Sequence, residues 1–548
     1  MSNINDFVIE DGVLKRYIGS HGTVIIPDLV TSIGDGAFKL CKTLVSITIP
    51  DSVQDVGDRA FLGCESLRNI YYNGGIEGWL GIKFHGIDSN PMNWDSRLYI
   101  NGELLTDIII PDGVTSIGDD AFKHCKTLVS ITIPDSVTSI GDHAFFDCVN
   151  LKTINIPDFV TSIGEYAFSG CNTVANITIP LAVTSIGKNA FSGCESLKDV
   201  YYNGDIEQWL GIEFHSNPVC NGAKLYAKGE LVTDVALSNT VMNIGSAFSG
   251  CTSLESIEIP DTVTDIVAYA FKGCTALASI KISNSVTIIG ERAFSCCKNL
   301  KKINIPISIT SIGRAAFEFC TSLESISIPD SVNSIGACAF WHCTSLVNVT
   351  ISKSIIDIGY RSFDGCTALT SIEVPDHVKN IEKEAFYNCT SLTSVKLGDS
   401  VTDIGQKAFE GCSTIKSVTT TSSFLTESAL YEISKIDALE VVVAPNLSFE
   451  FLKKNKLALF AAMGYLMNKD MFLNCPEKES IKKYISSQRK KLLPTIFKGD
   501  LAECLALYDQ LGIINDKNFD EEFFIPAQEL KAIHCIAFLM NWRNENRR

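Results

Sequence analysis

The sequence predicts a solenoid of short parallel strands that ends in a small all-α module. Three observations carry this. The string Ala-Phe-x-x-Cys, or a close relative, recurs with Phe at positions 38, 61, 122, 145, 168, 191, 248, 271, 294, 317, 340, 363, 386 and 409. Eleven of the thirteen intervals have one length, that from Phe122 to Phe145, and two are longer, from Phe61 to Phe122 and from Phe191 to Phe248. Beyond Cys412 this period fades, and apolar residues recur every three to four positions instead.

A chain of 548 residues exceeds what one compact core supports, so a repeat array fits the length. One unit shows the physics. In the segment from Cys125 to Cys148, Leu128, Ile131 and Ile133 alternate as strand residues facing one side. Pro134 lacks an N–H and ends the strand, and Asp135 and Ser136 are turn formers. Val137, Ile140, Ala144, Phe145 and Cys148 complete the inward set. Such a set is too small for a core by itself. Stacking coils at ~4.8 Å closes a continuous one.

The two long intervals contain related insertions. Residues 71–82 read YYNGGIEGWLGI and residues 201–212 read YYNGDIEQWLGI. Each leads to a hairpin-like stretch, RLYINGELLTD or KLYAKGELVTD, with Asn101-Gly102 as a type I′ turn candidate. The strands are expected to resume at Leu105 and Ile108 and at Val232 and Val235. The organisation expected is a β-hairpin cap over 1–26, a solenoid over 27–446 with insertions near 73–104 and 203–231, and a helical module over 447–548. Helical patterns lie at 448–468, 478–491, 499–511 and 527–544, with Gly464 breaking the first, Asp500 as an N-cap and Gly512 as a stop. Residue Gly499 lies at the turn of a weakly ankyrin-like stretch. The module is read as a cap for the last rung, or else as a recruiting or effector domain.

The units SITIPDSVTSIGDHAFFDC and SIEIPDTVTDIVAYAF resemble those of the BspA-like leucine-rich-repeat family, whose repeats have this same length. The resemblance covers about residues 7–420. It implies a leucine-rich-repeat solenoid, and members best known as bacterial surface proteins that bind host matrix proteins or other cells. In the ordinary leucine-rich repeat Asn or Cys follows the strand; here Cys precedes the Leu.

Composition narrows the function. The net charge is −17. Residues 421–548 hold 17 basic and 17 acidic side chains, so the first 420 carry the whole excess. Phosphate binding needs clustered Lys and Arg, so nucleic acid is not the expected partner. The cluster Lys482, Lys483, Arg489, Lys490 and Lys491 reads as a solvated helix face. The N-terminal residues have no basic n-region and no apolar h-region, and no apolar run is long enough for a membrane span. A cytoplasmic location is expected, with the cell surface by a non-classical route as the alternative.

Fourteen of the twenty cysteines form the Phe-x-x-Cys column and are expected to be reduced, buried and structural. His124 and His342 directly precede column cysteines and are expected to be solvated. The column Asp28, Asp51, Asp112, Asp135, Asp158, Asp261, Asp330 and Asp376 follows Pro at one corner and is read as Asx turns rather than a Ca²⁺ ladder. No nucleophile–base set, phosphate-binding glycine loop or zinc spacing emerges. No catalytic residue, metal site or cofactor is expected.

What remains is surface. Outward strand positions include Thr132, Asn155, Thr178, Glu258, Lys281 and Asn304, a polar face of the kind on which solenoids bind. Tyr71 and Tyr201 share an outward position, and Trp79 and Trp209 follow on the insertions. These four aromatic residues are candidate contacts for a protein partner, with carbohydrate stacking as the alternative. Packing of both Trp residues against the solenoid is the competing reading.

Overall fold

The computed structural model describes residues 3–86, 88–92 and 96–546. It divides into two compact units, Met1–Ile280 and Lys281–Arg548.

In the first unit, strands Phe7–Glu10 and Val13–Tyr17 form an antiparallel hairpin. The second of these then pairs in parallel with Ser32–Ile33. The rings of Phe7 and Tyr17 and those of Tyr17 and Phe38 each stand 5.4 Å apart, so the hairpin caps the first coil with aromatic surface. Regular coils contribute one strand to each of two parallel ladders. Ser46–Ile49 pairs with Asn69–Tyr72 on one side of the coil, and Ser32–Ile33 pairs with Asp55–Val56 on the other. The constant repeat length keeps equal residues opposite one another, Ile131 against Ile154 and Ile140 against Ile163.

Between the ladders runs a line of buried phenylalanines. Phe122, Phe145 and Phe168 stack at 5.5 and 5.2 Å with nearly parallel rings. In the second unit Phe294, Phe317, Phe340, Phe363, Phe386 and Phe409 continue in the same way at 5.2 to 5.5 Å. Burying one Phe contributes roughly 2 kcal/mol to its coil.

Column cysteines other than Cys41 are buried beside these rings. Where a regular coil precedes it, the column cysteine donates its thiol to the carbonyl of the preceding coil's Phe: Cys148 to Phe122, Cys171 to Phe145, Cys343 to Phe317 and Cys412 to Phe386, at 3.0 to 3.3 Å. A small side chain with one weak donor fits this dry corner, where the carbonyl also accepts the amide of its own coil's Cys, as Phe122 O does from Cys125 N–H at 3.0 Å.

Three expectations are corrected at the corners. The turn after Pro closes through the backbone, with Val137 N–H donating to Pro134 O and Val160 N–H to Pro157 O, both at 3.1 Å. The aspartates are not needed to close it; Asp330 instead accepts from the Lys353 amide of the next coil at 2.9 Å. His124 is not solvated. It is only 8% exposed, its Nδ1 lies 3.3 Å from Asp147, and burial pushes its pKa below the ordinary imidazole range against the pull of Asp147. His342 is half-buried, its ring stacked on that of Phe319 at 5.2 Å.

In the second unit the last rung, Val441–Val443, pairs in parallel with Ser417–Thr420. A helix the periodicity does not signal, Glu427–Ser434, lies between them, with Thr426 Oγ1 capping the Ala429 amide. The helix Ala458–Met467 then runs through Gly464 without a break. A Cβ at Gly464 would collide with the carbonyl of Val442, so this glycine lets the helix lie directly on the last strand.

The long helix Lys478–Lys498 also extends past its expected end and contains Pro494. The next helix is Ala502–Gln510, and Asp500 is not its cap. The Asp500 carboxylate instead accepts from the His534 and Cys535 amides at 3.0 and 2.9 Å, capping the helix Ile533–Asn546. In the same way Glu477 accepts the Phe449 amide at 2.5 Å, at the start of Phe449–Lys454. Carboxylates from distant segments thus fix the module's helices.

Candidate binding face

The strands that carry the expected outward positions form one face of each unit. In the first unit, Ile109 stands opposite Thr132, Asn155 opposite Thr178, and Thr178 opposite Tyr201. Thr132, Asn155 and Glu258 are exposed, while Thr178 and Tyr201 are half-buried. Lys281 and Asn304, in the second unit, are likewise exposed. In that unit Glu373 and Lys396 stand opposite one another and form an exposed ion pair at 2.5 Å. An exposed pair of this kind adds little stability.

The two insertions separate the aromatic candidates into different environments. Tyr71 and Tyr201 do lie on the strand face. Trp79 and Trp209 do not: both indoles are 0% exposed, which removes them as ligand contacts. Each sits in a short helix, Ile76–Gly81 or Ile206–Leu210, edge-on to the buried ring of Tyr72 or Tyr202 at 5.6 and 5.3 Å.

Their polar atoms explain why Trp is used there. In a regular coil the Phe amide donates to the Ala carbonyl one coil on, as Phe145 does to Ala167 at 2.7 Å. The first Ala after each insertion has no such Phe before it. Instead Trp79 Nε1–H donates to Ala121 O at 2.8 Å, and Trp209 Nε1–H donates to Ala247 O at 3.0 Å. The side-chain amide of Asn90 does the same for Asp120 O at 2.6 Å, and that of Asn217 does it for Ser246 O at 3.1 Å. Buried carbonyls need partners, so the indoles act as splices across the altered coils.

The stretches expected to be inserted hairpins contain an extra rung each. Arg97–Ile100 pairs in parallel with Asn69–Tyr72, and Lys224–Ala227 pairs with Asp199–Tyr202. The chain then turns back through Glu103–Leu104 or Glu230–Leu231, which pair antiparallel. Asn101 and Gly102, like Lys228 and Gly229, have positive φ at both turn positions. The next strands, Asp107–Ile109 and Asp234–Ala236, continue the parallel pattern, pairing with Ser130–Thr132 and Ser256–Glu258.

These extra rungs bring forward residues that sequence reasoning missed. Tyr99 stacks on Tyr71 with ring centroids 4.6 Å apart, and Tyr226 stacks on Tyr201 at 4.7 Å. Leu104 and Leu231, opposite Tyr99 and Tyr226 in register, are each 39% exposed. Desolvation, then the nearby Asp199 carboxylate, raises the Tyr226 hydroxyl above the ordinary tyrosine range. A signal was available, since RLY and KLY place Tyr one residue beyond an inward Leu, as NIY and DVY place it beyond Ile or Val one rung earlier.

Among the described residues, no three His, Cys, Asp or Glu side chains group as metal ligands would, and no helix is long and apolar enough to cross a membrane.

The profile of the BspA type leucine rich repeat region, in 6 copies, matches residues 10–79, 95–217, 222–347 and 310–437. Among solved structures, a leucine-rich repeat protein from Bacteroides ovatus is 28% identical, with 76% of this chain and 94% of that one covered and a TM-score of 0.37. A leucine rich cell surface protein from Faecalibacterium prausnitzii is 23% identical over 80% of this chain and 95% of its own, with a TM-score of 0.30. The pneumococcal vaccine antigen PcpA is 17% identical over 81% and 89%, with a TM-score of 0.25. A comparison with curated proteins returned no match.

Proposed function

The chain belongs to the BspA-type leucine-rich-repeat family, and on that premise we propose that it is a non-enzymatic scaffold that binds a protein partner on its strand face. The observation that carries this reading is the pair of stacked tyrosine sites, Tyr71 with Tyr99 and Tyr201 with Tyr226. Tyrosine offers a large apolar surface with a polar tip, and few rotatable bonds are lost when it is covered. Stacking on a neighbour already restricts each ring, which lowers the ordering cost of binding. The surrounding hydroxyl and amide side chains of Thr132, Asn155 and Thr178 suit the polar rim of such an interface.

The helical region after the last rung is read as a cap rather than an effector, because Gly464 seats its helix on the final strand. Solenoid ends need such covers.

The test compares full-length protein with a variant in which Tyr71, Tyr99, Tyr201 and Tyr226 are all Ala, each immobilised and exposed to extract and surface fractions of the native host. A specific partner should lose at least tenfold in recovery on the variant while circular dichroism stays unchanged. Equal recovery of every bound protein on both would refute the strand-face assignment. Binding to a glycan array that disappears in the same variant would move the ligand to carbohydrate.

A further inference from the structure

Each tyrosine pair is held ring to ring by the ladder beneath it. Tyr71 stands opposite Tyr99, and Tyr201 opposite Tyr226, in adjacent parallel strands. The rings are stacked at 4.6 and 4.7 Å with interplanar angles of 22° and 26°. All four are half-buried, so an oxidant in solvent can reach them. Parallel strands in register point equal side chains the same way, which sets the carbons beside one hydroxyl against those beside the other. Among the described residues, the other tyrosines with a ring neighbour meet Phe, Trp or His instead, as Tyr166 meets His143 at 5.1 Å.

Two phenols in this arrangement have a specific reactivity. Loss of one electron and the hydroxyl proton turns each phenol into a phenoxyl radical. Two such radicals join through a carbon–carbon bond between the ring positions ortho to their hydroxyls. The hydrogens on those carbons then return to the oxygens as the rings regain aromaticity. The pair loses two hydrogens in all, and one molecule of hydrogen peroxide takes them up to give two waters. Rings fixed side by side couple far faster than rings that must meet by diffusion. The two sites differ in one feature. Asp199, opposite Lys224, puts a carboxylate beside the Tyr226 hydroxyl, and Asn69, opposite Arg97, holds the same position in the first pair. A carboxylate can accept the phenolic proton as the electron leaves, and a neutral amide is a far weaker base.

We propose that Tyr71 with Tyr99, and Tyr201 with Tyr226, are sites of oxidative cross-linking, each pair closing into a dityrosine when a haem peroxidase turns over hydrogen peroxide. Each bond joins the strand before an insertion to the extra rung after it, so it closes the chain around the short helix Ile76–Gly81 or Ile206–Leu210. Closing such a loop restricts the unfolded chain and so stabilises the folded one. The duplicated sites act as two covalent staples, set only under oxidising conditions. Stacked rings and an oxidant are all the step requires, so it is independent of partner binding.

The test treats dilute full-length protein with a haem peroxidase and stepwise hydrogen peroxide, then reads dityrosine by fluorescence and proteolytic peptides by mass spectrometry. The expected products are peptides joined through Tyr71–Tyr99 and through Tyr201–Tyr226, each two hydrogens lighter than the sum of its parts, in protein that stays monomeric on a denaturing gel. The second pair should cross-link several-fold faster than the first, and Asp199→Asn should remove that lead. Tyr99→Phe should abolish the first product alone and Tyr226→Phe the second alone, with circular dichroism unchanged in both. Cross-linked protein should unfold at higher urea than untreated protein, and the double variant given the same treatment should show no such shift. Dityrosine formed only between chains, seen as dimers that survive denaturation, overturns the proposal. So does oxidation of the four tyrosines to uncoupled products alone. Equal rates for the two pairs in the unaltered protein remove Asp199 from the step.

Discussion

The residue two places after each core Phe sits directly before the column Cys, and the backbone there is left-handed. Gly63, Gly170, Gly273 and Gly411 meet this demand at no steric cost, with φ between 74° and 81°. Leu40, His124, Cys296 and His342 hold the same position with φ between 56° and 63°. Exposed Leu40 should therefore be the easiest place to stabilise the fold: Leu40→Gly is expected to add about 1 kcal/mol in urea denaturation, whereas Gly170→Ala should destabilise. A second expectation concerns the thiols. Burial pushes Cys125 up to about 11 and Cys194 up to about 12, from an ordinary value of 9.0. A folded-state pKa raised in this way gives stability that is complete below pH 9 and lost as pH rises toward 11 to 12. The urea midpoint should fall between pH 8 and pH 10.5, and Cys194→Ala should make that fall shallower. At this scale the cysteine column is readable in the sequence, because a small thiol among Ile and Phe has a simple packing role. His124 is misleading, because loop position alone suggests an outward ring, whereas the left-handed turn folds it inward against Phe146 at 5.3 Å.

At the scale of the element, period and register are legible and interruptions are not. The pattern of Leu128, Ile131 and Ile133 implies a strand, and Ser130–Thr132 forms one, in register with the equivalent strand of the next coil. Within the insertions, Arg97–Ile100 suggests part of a protruding hairpin, because Arg97 follows its partner Asn69 at a longer interval than the one that separates Phe122 from Phe145. Gly464 suggests a helix break by its intrinsic propensity, while tertiary packing needs its missing side chain. The splice role of the indoles gives a direct expectation. Trp79→Phe keeps most of the ring volume and removes the donor to Ala121 O, leaving a buried carbonyl unpaired. A loss of about 1 to 3 kcal/mol follows. Hydrogen exchange should rise first in the coils on either side of residues 73–104, and Tyr71 should keep its place on the face. An unchanged stability would mean that Ala121 O finds another partner.

At the scale of the whole molecule, family and fold class can be read from 14 Phe-x-x-Cys units, because each repeat restates the same packing problem. The face can be located but not ranked. Its outward positions are mostly Ser, Thr, Asn and charged residues, and alternation alone does not say which of them a partner would use. Stacking between rungs does: it joins Tyr71 to Tyr99 and Tyr201 to Tyr226, pairs whose separations differ from the regular period and are hidden by it. The binding face therefore depends on one division, with tyrosines outside and tryptophans inside. Hydroxyl-radical footprinting of the full-length protein, read by mass spectrometry, measures that division directly. Tyr71, Tyr99, Tyr201 and Tyr226 should be oxidised readily, while Trp79, Trp209 and the buried column cysteines stay protected until the protein is unfolded. Oxidation of Trp79 and Trp209 at the rate of the four tyrosines in the folded state would contradict both the splice and the face built beside it.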